Sequence, residues 1–405
     1  MKADTGKKIR FILQYFYPEV ASTAQLMTEL AQGLTARGYK IKVYCGQPTY
    51  VRSKTLLPKE VFNNIEIERL SCTRFEKNSS IGRMMNWLSY TVLTFFRLLF
   101  SGDKSPLFII STPPFLFVVG YLLKILKGQK YVCLIYDLYP DIAVKLKYMQ
   151  ENSIIAKIWD RCNRAFFKNA DFVIVPSENM KTLIDKKIGK NNKVKVIYNW
   201  ADGDFIKPMP KSENWFAKKY DLVNKLVILY AGNIGLFHEL ETLIEAAGNL
   251  RDNKNIQFVF IGEGGKKKKL MDMAGEKKLD NVLFLPYQDK SILSHSLTCS
   301  DVSVVSLEKN LDFVAAPCKL YTSMAAGQAI LGLVDKNSDV AKIVNRYECG
   351  FCVDQDDVKA VVETLKNLSQ NLQLMDKYKR NARKCFEENF RKDIMINKYS
   401  DVFSH

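Results

Sequence analysis

Histidine is nearly absent: the chain of 405 residues holds three, one of them the last residue. A histidine-rich metal centre is therefore not expected, nor any bound metal. Neither half carries G-x-G-x-x-G after its first strand, which argues against a dinucleotide, and no cofactor is expected. No basic–aromatic repeat or nucleic-acid module is present, so nucleic acid is not an expected partner. An uninterrupted apolar run of about 20 residues, which a membrane-spanning helix needs, is also missing. Met84–Phe100 is shorter and carries Arg97, and Leu107–Leu123 is broken by Pro113 and Pro114. The second of these reads as a buried strand, a turn and a helix from Phe115. No signal peptide is read at the start, where Met1 to Lys8 is polar and leads into a strand. Cysteine is not scarce, with nine in the chain, but they are scattered. Cys349 and Cys352 form a C-x-x-C with no second ligand pair. The cysteines read as reduced thiols, mostly buried, in a cytoplasmic protein, and this C-x-x-C as a coincidence within a strand.

A hydrophobic content of 47% and a charged content of 25% belong to a globular protein. The length suits two domains. Charge divides them: residues 1–200 hold 31 Lys and Arg against 15 Asp and Glu, and residues 201–405 hold 29 against 28. A basic first half suggests an anionic membrane, a phosphorylated acceptor or nucleic acid, with ordinary solubility charge as the simpler alternative.

Short apolar runs alternate with helical spacings throughout. In the first half, strands read at Lys8–Leu13, Ile41–Cys45, Leu107–Ser111, Tyr131–Tyr136, Phe172–Pro176 and Val194–Tyr198. Helices read at Ala24–Arg37, Phe115–Lys127, Ile154–Lys168 and Met180–Ile188. The pattern lapses after Asn199-Trp200, in a stretch rich in Pro, Asp and Gly. It restarts at Leu226–Tyr230 and continues to a long closing helix from Asn371. This is an α/β fold of two doubly wound Rossmann-like domains, with a ligand expected at the carboxyl ends of their strands. Glycosyltransferases, two-domain dehydrogenases and periplasmic-type binding proteins all share that pattern.

Two glycine turns narrow the choice. Gly232-Asn233-Ile234-Gly235 follows one strand of the second half, and Gly262-Glu263-Gly264-Gly265 follows the next. Such turns let backbone N–H groups approach a diphosphate, although one βα glycine turn alone is weak evidence. Of the lysines at 266–269, at best one can point toward a ligand. Lys319 opens a helix, where a cation opposes the local dipole unless an anion sits there. That placement makes Lys319 a phosphate-binding candidate.

The segments YAGNIG, LETLIEAA, FVFIGEG, NVLFLP and PCKLYTSMAAG resemble the C-terminal domain of family-4 glycosyltransferases. In the first half, Tyr136-Asp137-Leu138-Tyr139-Pro140-Asp141 resembles a family strand-end segment. Tyr15-Phe16-Tyr17-Pro18-Glu19 with the helix after it resembles the opening acceptor loop, and Asn199-Trp200-Ala201-Asp202 an interdomain signature. The resemblance covers nearly the whole chain. It is closest to the bacterial exopolysaccharide and O-antigen branch, including N-acetylfucosamine-type transferases.

The resemblance implies a GT-B enzyme with its domains facing each other across a cleft. It implies a retaining, metal-independent transfer of a sugar from a nucleotide-diphosphate sugar, with uracil as the expected base. Residues 1–200 would bind the acceptor, 201–385 the nucleotide sugar, and 386–405 would return as a helix onto the first domain. Asp137 and Lys319 are the catalytic candidates. The donor is expected at Gly232, Asn233, Ile234, Gly235, His238, Gly262, Glu263, Gly264, Lys267, Lys319, Leu320 and Thr322. The acceptor is expected at Glu19, Ser22, Thr23 and Tyr136, the serine and threonine lying in a loop where many members have glycine. For Asp137 the alternative is a cap on the following helix.

One departure is pronounced. The family's E-x7-E pair falls on Val314 and Thr322, so both acids are absent. This motivates a second reading, a non-catalytic partner subunit or polysaccharide-binding scaffold that keeps the fold. The resemblance also implies a saccharide or lipid-linked acceptor and work at the inner face of the cell membrane. There the apolar stretch Met84–Phe100 would lie in the interface as a peripheral anchor, or pack as a core helix.

Overall fold

The computed structural model describes residues 6–19, 21–48, 56–75, 80–309, 311 and 318–404. The chain divides into two compact units: residues 1–198 with 396–405, and residues 199–395.

Unit 1 contains β1 (Lys8–Ile12), α1 (Ser22–Thr35), β2 (Lys40–Gly46), β3 (Lys59–Phe62), β4 (Ile65–Leu70), α2 (Ser80–Leu99), β5 (Leu107–Ile110), α3 (Phe117–Lys127), β6 (Tyr131–Leu134), α4 (Asp141–Lys145), α5 (Ile154–Asn169), β7 (Phe172–Val175), α6 (Glu178–Ile188) and β8 (Val194–Val196). The strands form one sheet of order β3-β4-β2-β1-β5-β6-β7-β8, and among the described strands only β3 runs antiparallel to its neighbour. Strands β5 and β6 are buried along their whole length, as expected when helices cover both faces of a parallel sheet. Leu107–Leu123 is divided between β5, a turn and α3, and among the described residues no helix is long and apolar enough to cross a membrane.

The β3–β4 hairpin is absent from the sequence reading. Its turn is Asn63-Asn64, both at positive φ (47° and 62°), the conformation that two-residue hairpins need and asparagine tolerates. Helix α1 starts at Ser22, so Ser22 and Thr23 occupy its first turn rather than a loop.

Unit 2 contains α7 (Trp215–Lys219), β9 (Leu226–Ala231), α8 (Glu241–Asn249), β10 (Ile256–Ile261), α9 (Lys267–Glu276), β11 (Val282–Leu285), α10 (Leu293–Thr298), β12 (Val302–Ser306), α11 (Lys319–Ala325), β13 (Ala329–Leu333), α12 (Asp339–Arg346), β14 (Gly350–Val353), α13 (Val358–Gln370) and α14 (Leu372–Asn389). Its all-parallel sheet has the order β11-β10-β9-β12-β13-β14. The connections reverse direction between β9 and β12, the place where doubly wound sheets bind ligands. Helix α15 (Lys392–Ser404) ends the chain; unit 2 runs to Met395, and α15 contributes to unit 1 from Ile396 onward. The sequence places that return at residue 386, but α14 buries Met375, Ala382, Cys385 and Phe386 within unit 2. Cys352 lies in β14 beside Cys349, and neither forms a disulfide.

Candidate functional site

The two glycine turns of unit 2 lie against each other. Gly232, Gly262 and Gly264 adopt φ of 127°, 146° and 155°, which side-chain-bearing residues rarely take. A Cβ on Gly262 would sit 1.9 Å from the Gly232 carbonyl oxygen, and one on Gly264 would sit 2.2 Å from that of Ile234. Glycine is required here for close backbone approach. The N–H groups of Gly232 and Ile234 donate to Ile261 and Glu263, and that of Gly262 to Leu285. These donors serve the fold. Among the described residues, the N–H groups of Asn233 and Gly235 meet no protein acceptor.

Lys319 projects into this turn pair. A Cβ on Gly232 would lie 2.7 Å from the Lys319 Cε. The Lys319 ammonium lies 4.8 Å from the Tyr230 ring centroid and 3.3 Å from His238 Nε2. His238 Nδ1 stands 2.7 Å from the Ser306 carbonyl oxygen at the end of β12. A carbonyl only accepts, so Nδ1 holds the proton and Nε2 presents a lone pair to the ammonium. Burial and the neighbouring cation push the imidazole down to about 3. Burial also pulls Lys319 down to about 8, and among the described residues no carboxylate pairs with it. The helix that Lys319 opens is tied in place as well. Asn199, buried in the interdomain signature, donates to the Cys318 sulfur at 3.0 Å, and Ser303 and Ser323 join β12 to α11 at 2.6 Å.

The lysine run divides by helical phase. Lys266 is the inward member, donating to the His238 carbonyl at 2.8 Å and to the carboxylates of Glu241 and Glu308. Lys267 pairs with Glu263 at 2.7 Å, so two residues expected at the donor neutralise each other. Leu320 is buried in the core, and the Thr322 hydroxyl donates back to the Lys319 carbonyl at 2.9 Å. Val314 lies outside the described residues. Tyr230 and Ser306 complete the surroundings of Lys319 without having been singled out in the sequence. Tyr230 at the turn carried a positional signal, whereas Ser306 acts through a carbonyl that every residue possesses.

In unit 1, Asp137 follows β6. Its N–H and that of Tyr136 both approach the Ser111 hydroxyl, at 3.2 and 3.0 Å. The carboxylate caps nothing, because α4 begins at Asp141 after Pro140, without a side-chain cap. Burial alone pushes Asp137 up to about 6. The Tyr136 side chain lies against Tyr399 of α15. Glu19 is buried in the loop after β1. The hairpin sets that loop: Tyr17 stacks on Phe62 at 3.8 Å, and Arg69 donates to the Tyr17 carbonyl at 3.0 Å. Asp137, Tyr136, Glu19 and the first turn of α1 are thus in unit 1, and the lysine site is in unit 2.

Two family models match successive parts of the chain: Glycosyltransferase Family 4 over residues 23–205, and Glycosyl transferases group 1 over residues 211–385. The chain is a glycosyltransferase of the GT-B fold. It is 26% identical to an Escherichia coli protein named as colanic acid biosynthesis glycosyl transferase WcaI, covering 95% of this chain and 96% of that one. A Pseudomonas aeruginosa protein named as glycosyltransferase WbjE is 24% identical, over 77% of this chain and 78% of its own. Among solved structures, sucrose-phosphate synthase from Thermosynechococcus elongatus superposes with a TM-score of 0.77 at 15% identity, covering 98% of each chain. Anabaena HepE in complex with UDP and glucose gives a TM-score of 0.74 at 14% identity, covering 98% of this chain and 99% of that one. These likenesses establish the fold of the glycosyltransferase.

Proposed function

We propose that this glycosyltransferase moves a sugar from a UDP-sugar to a saccharide acceptor carried on a lipid, with retention of anomeric configuration, during polysaccharide assembly at the inner face of the cell membrane. The observation that carries the donor half is Lys319. Its charge is held in a low-dielectric site by a neutral imidazole and an aromatic face, and among the described residues no acid offsets it. An anion there regains what the lysine lost on burial, and the UDP held by the neighbour HepE is of that class.

In this mechanism the bond from the sugar to the diphosphate lengthens first. The acceptor hydroxyl then adds on the same face, and its proton passes to the departing diphosphate. Lys319 and the N–H groups of Asn233 and Gly235 stabilise the charge that develops there. Asp137 accepts a hydrogen bond from the acceptor hydroxyl and orients it. Glu19, Ser22, Thr23 and Tyr136 are assigned to the acceptor, and Gly262, Glu263, Gly264, Lys267, Leu320 and Thr322 to shaping the donor side.

A thermal-shift series with nucleoside diphosphates tests the reading. UDP raises the melting temperature of the parent protein and not of Lys319→Ala. No stabilisation by any nucleoside diphosphate sinks it. Absence of both E-x7-E acids favours a second reading, a donor-binding partner subunit without turnover. UDP stabilisation together with no sugar transfer or donor hydrolysis would select that one.

A further inference from the structure

An aromatic row in unit 1 leads to Asp137. Tyr139 stacks on Trp159 with ring centroids 5.7 Å apart and an interplanar angle of 10°. Trp159 lies 5.0 Å from Phe115, and Phe115 lies 6.3 Å from Trp87. None of the four rings is fully buried. Asp137 stands close enough to Tyr139 for its charge, after burial, to raise the phenol's pKa.

The row has an apolar entrance. Strands β4, β5, β6 and β7 are mutually parallel through the sheet, so α2 and α5 each start at its carboxyl end, where Asp137 also lies. Helix α3 packs between them. On the first turns of α2, Ile81, Met84 and Leu88 face solvent, and on those of α5, Ile154, Ile155 and Ile158 do the same. Ile81 is 71% exposed and Ile154 75%, so apolar side chains on both helices, the ones that carry Trp87 and Trp159, stand in water. Exposed Arg83, Lys157 and Arg161 rise from the same turns. Long cationic side chains around an apolar patch suit a surface that sits in an anionic lipid interface.

We propose that Trp87, Phe115, Trp159 and Tyr139 seat the hydrocarbon carrier chain of the acceptor, which enters between the first turns of α2 and α5 and brings its saccharide head to Asp137. This rests on the lipid-linked acceptor reading and gives it a place. The apolar rim takes the chain from the bilayer without exposing it to water, and the flat aromatic faces hold it by area rather than by shape.

The test uses the full chain and dodecyl maltoside brominated on its alkyl chain, below its micelle concentration, with maltose as the chainless control. Bromine quenches tryptophan fluorescence on contact. Saturable quenching by the brominated glycoside is expected, with none by maltose. Replacing Trp87 and Trp159 by Phe removes that quenching. Ile155→Asp, at an exposed position, weakens binding at least about tenfold, because a carboxylate resists burial against a hydrocarbon. Stabilisation by UDP stays as in the parent for both variants. Quenching that survives the double Trp→Phe replacement, or binding unchanged in Ile155→Asp, overturns the carrier-chain seat. UDP stabilisation that persists beside such a result leaves the transferase reading intact; its loss in the parent protein removes that reading separately.

Discussion

The ammonium of Lys319 lies 3.3 Å from Nε2 of His238, an imidazole fixed from behind by the Ser306 carbonyl. The histidine therefore solvates the lysine without neutralising it. A carboxylate in the same position would consume the positive charge, and water would screen it. The arrangement keeps a cation available at the place where β9 and β12 part.

Lys319→Ala should lower transfer by well over tenfold and abolish UDP stabilisation. A charged hydrogen bond to a desolvated phosphate is worth roughly 1.5–3 kcal/mol. Steady-state rates and UDP thermal shifts check this together. Turnover equal to the parent's would remove Lys319 from the site.

The pH dependence of UDP affinity follows from the same lysine. Its pKa is lowered to about 8, so the cation is present below that value and is lost as pH rises through it. The affinity advantage of the parent over Lys319→Gln should be largest below about 8 and shrink above it. Bound diphosphate favours the cation, so the loss shifts to higher pH in the complex. Calorimetric titrations at several pH values measure the difference. An advantage that grows above pH 8 would contradict it.

Asp137 should impose the acid limb. Its pKa is raised to about 6, so the carboxylate is present above that value and is protonated below it. The catalytic rate should fall as pH drops through about 6. Asp137→Asn should lose that limb and lower kcat more than UDP affinity. A reduced melting temperature with normal kcat would mark the residue as structural instead.

Gly262→Ala tests the backbone contact. The added Cβ would meet the Gly232 carbonyl oxygen at 1.9 Å, at a φ of 146°. Strain and overpacking together should cost about 3 kcal/mol or more. Urea unfolding measures the loss; stability within experimental error of the parent would mean that the turns can separate freely.

Membrane attachment should be peripheral and electrostatic in its first step. Anionic vesicles should sediment the protein at low salt and release it as salt rises, and neutral vesicles should not hold it. Ile81→Asp with Leu88→Asp, both at exposed positions on α2, should weaken the anionic binding. Protein left in the supernatant with anionic vesicles at low salt would defeat the attachment.

Much of this was legible in residue order. Buried parallel strands are short apolar runs, and helices repeat their apolar positions every three or four residues, so the two doubly wound sheets can be read locally. Strand β3 carries no fully buried side chain, and β3 and β4 read as a hairpin only once the Asn63-Asn64 turn is recognised. Strand β3 therefore lacks the apolar signal. The glycine turns and Lys319 were also legible, because positive φ and a cation at a helix start restrict residue type.

The rest required the tertiary structure. That Lys266 turns inward while Lys267 meets Glu263 depends on the phase of α9 relative to Glu241 and Glu308, which no local pattern records. His238 and Lys319 are 81 residues apart in sequence, and only the adjacency of β9 and β12 brings them together. The Ser306 carbonyl that sets the histidine's tautomer is identical in every amino acid, so its role exists only in space. By itself the sequence determined which groups could bear charge and where the backbone had to be glycine. The packing of the sheet decided which of those charges stay unpaired, because desolvation and pairing depend on neighbours that the chain brings together only when it folds.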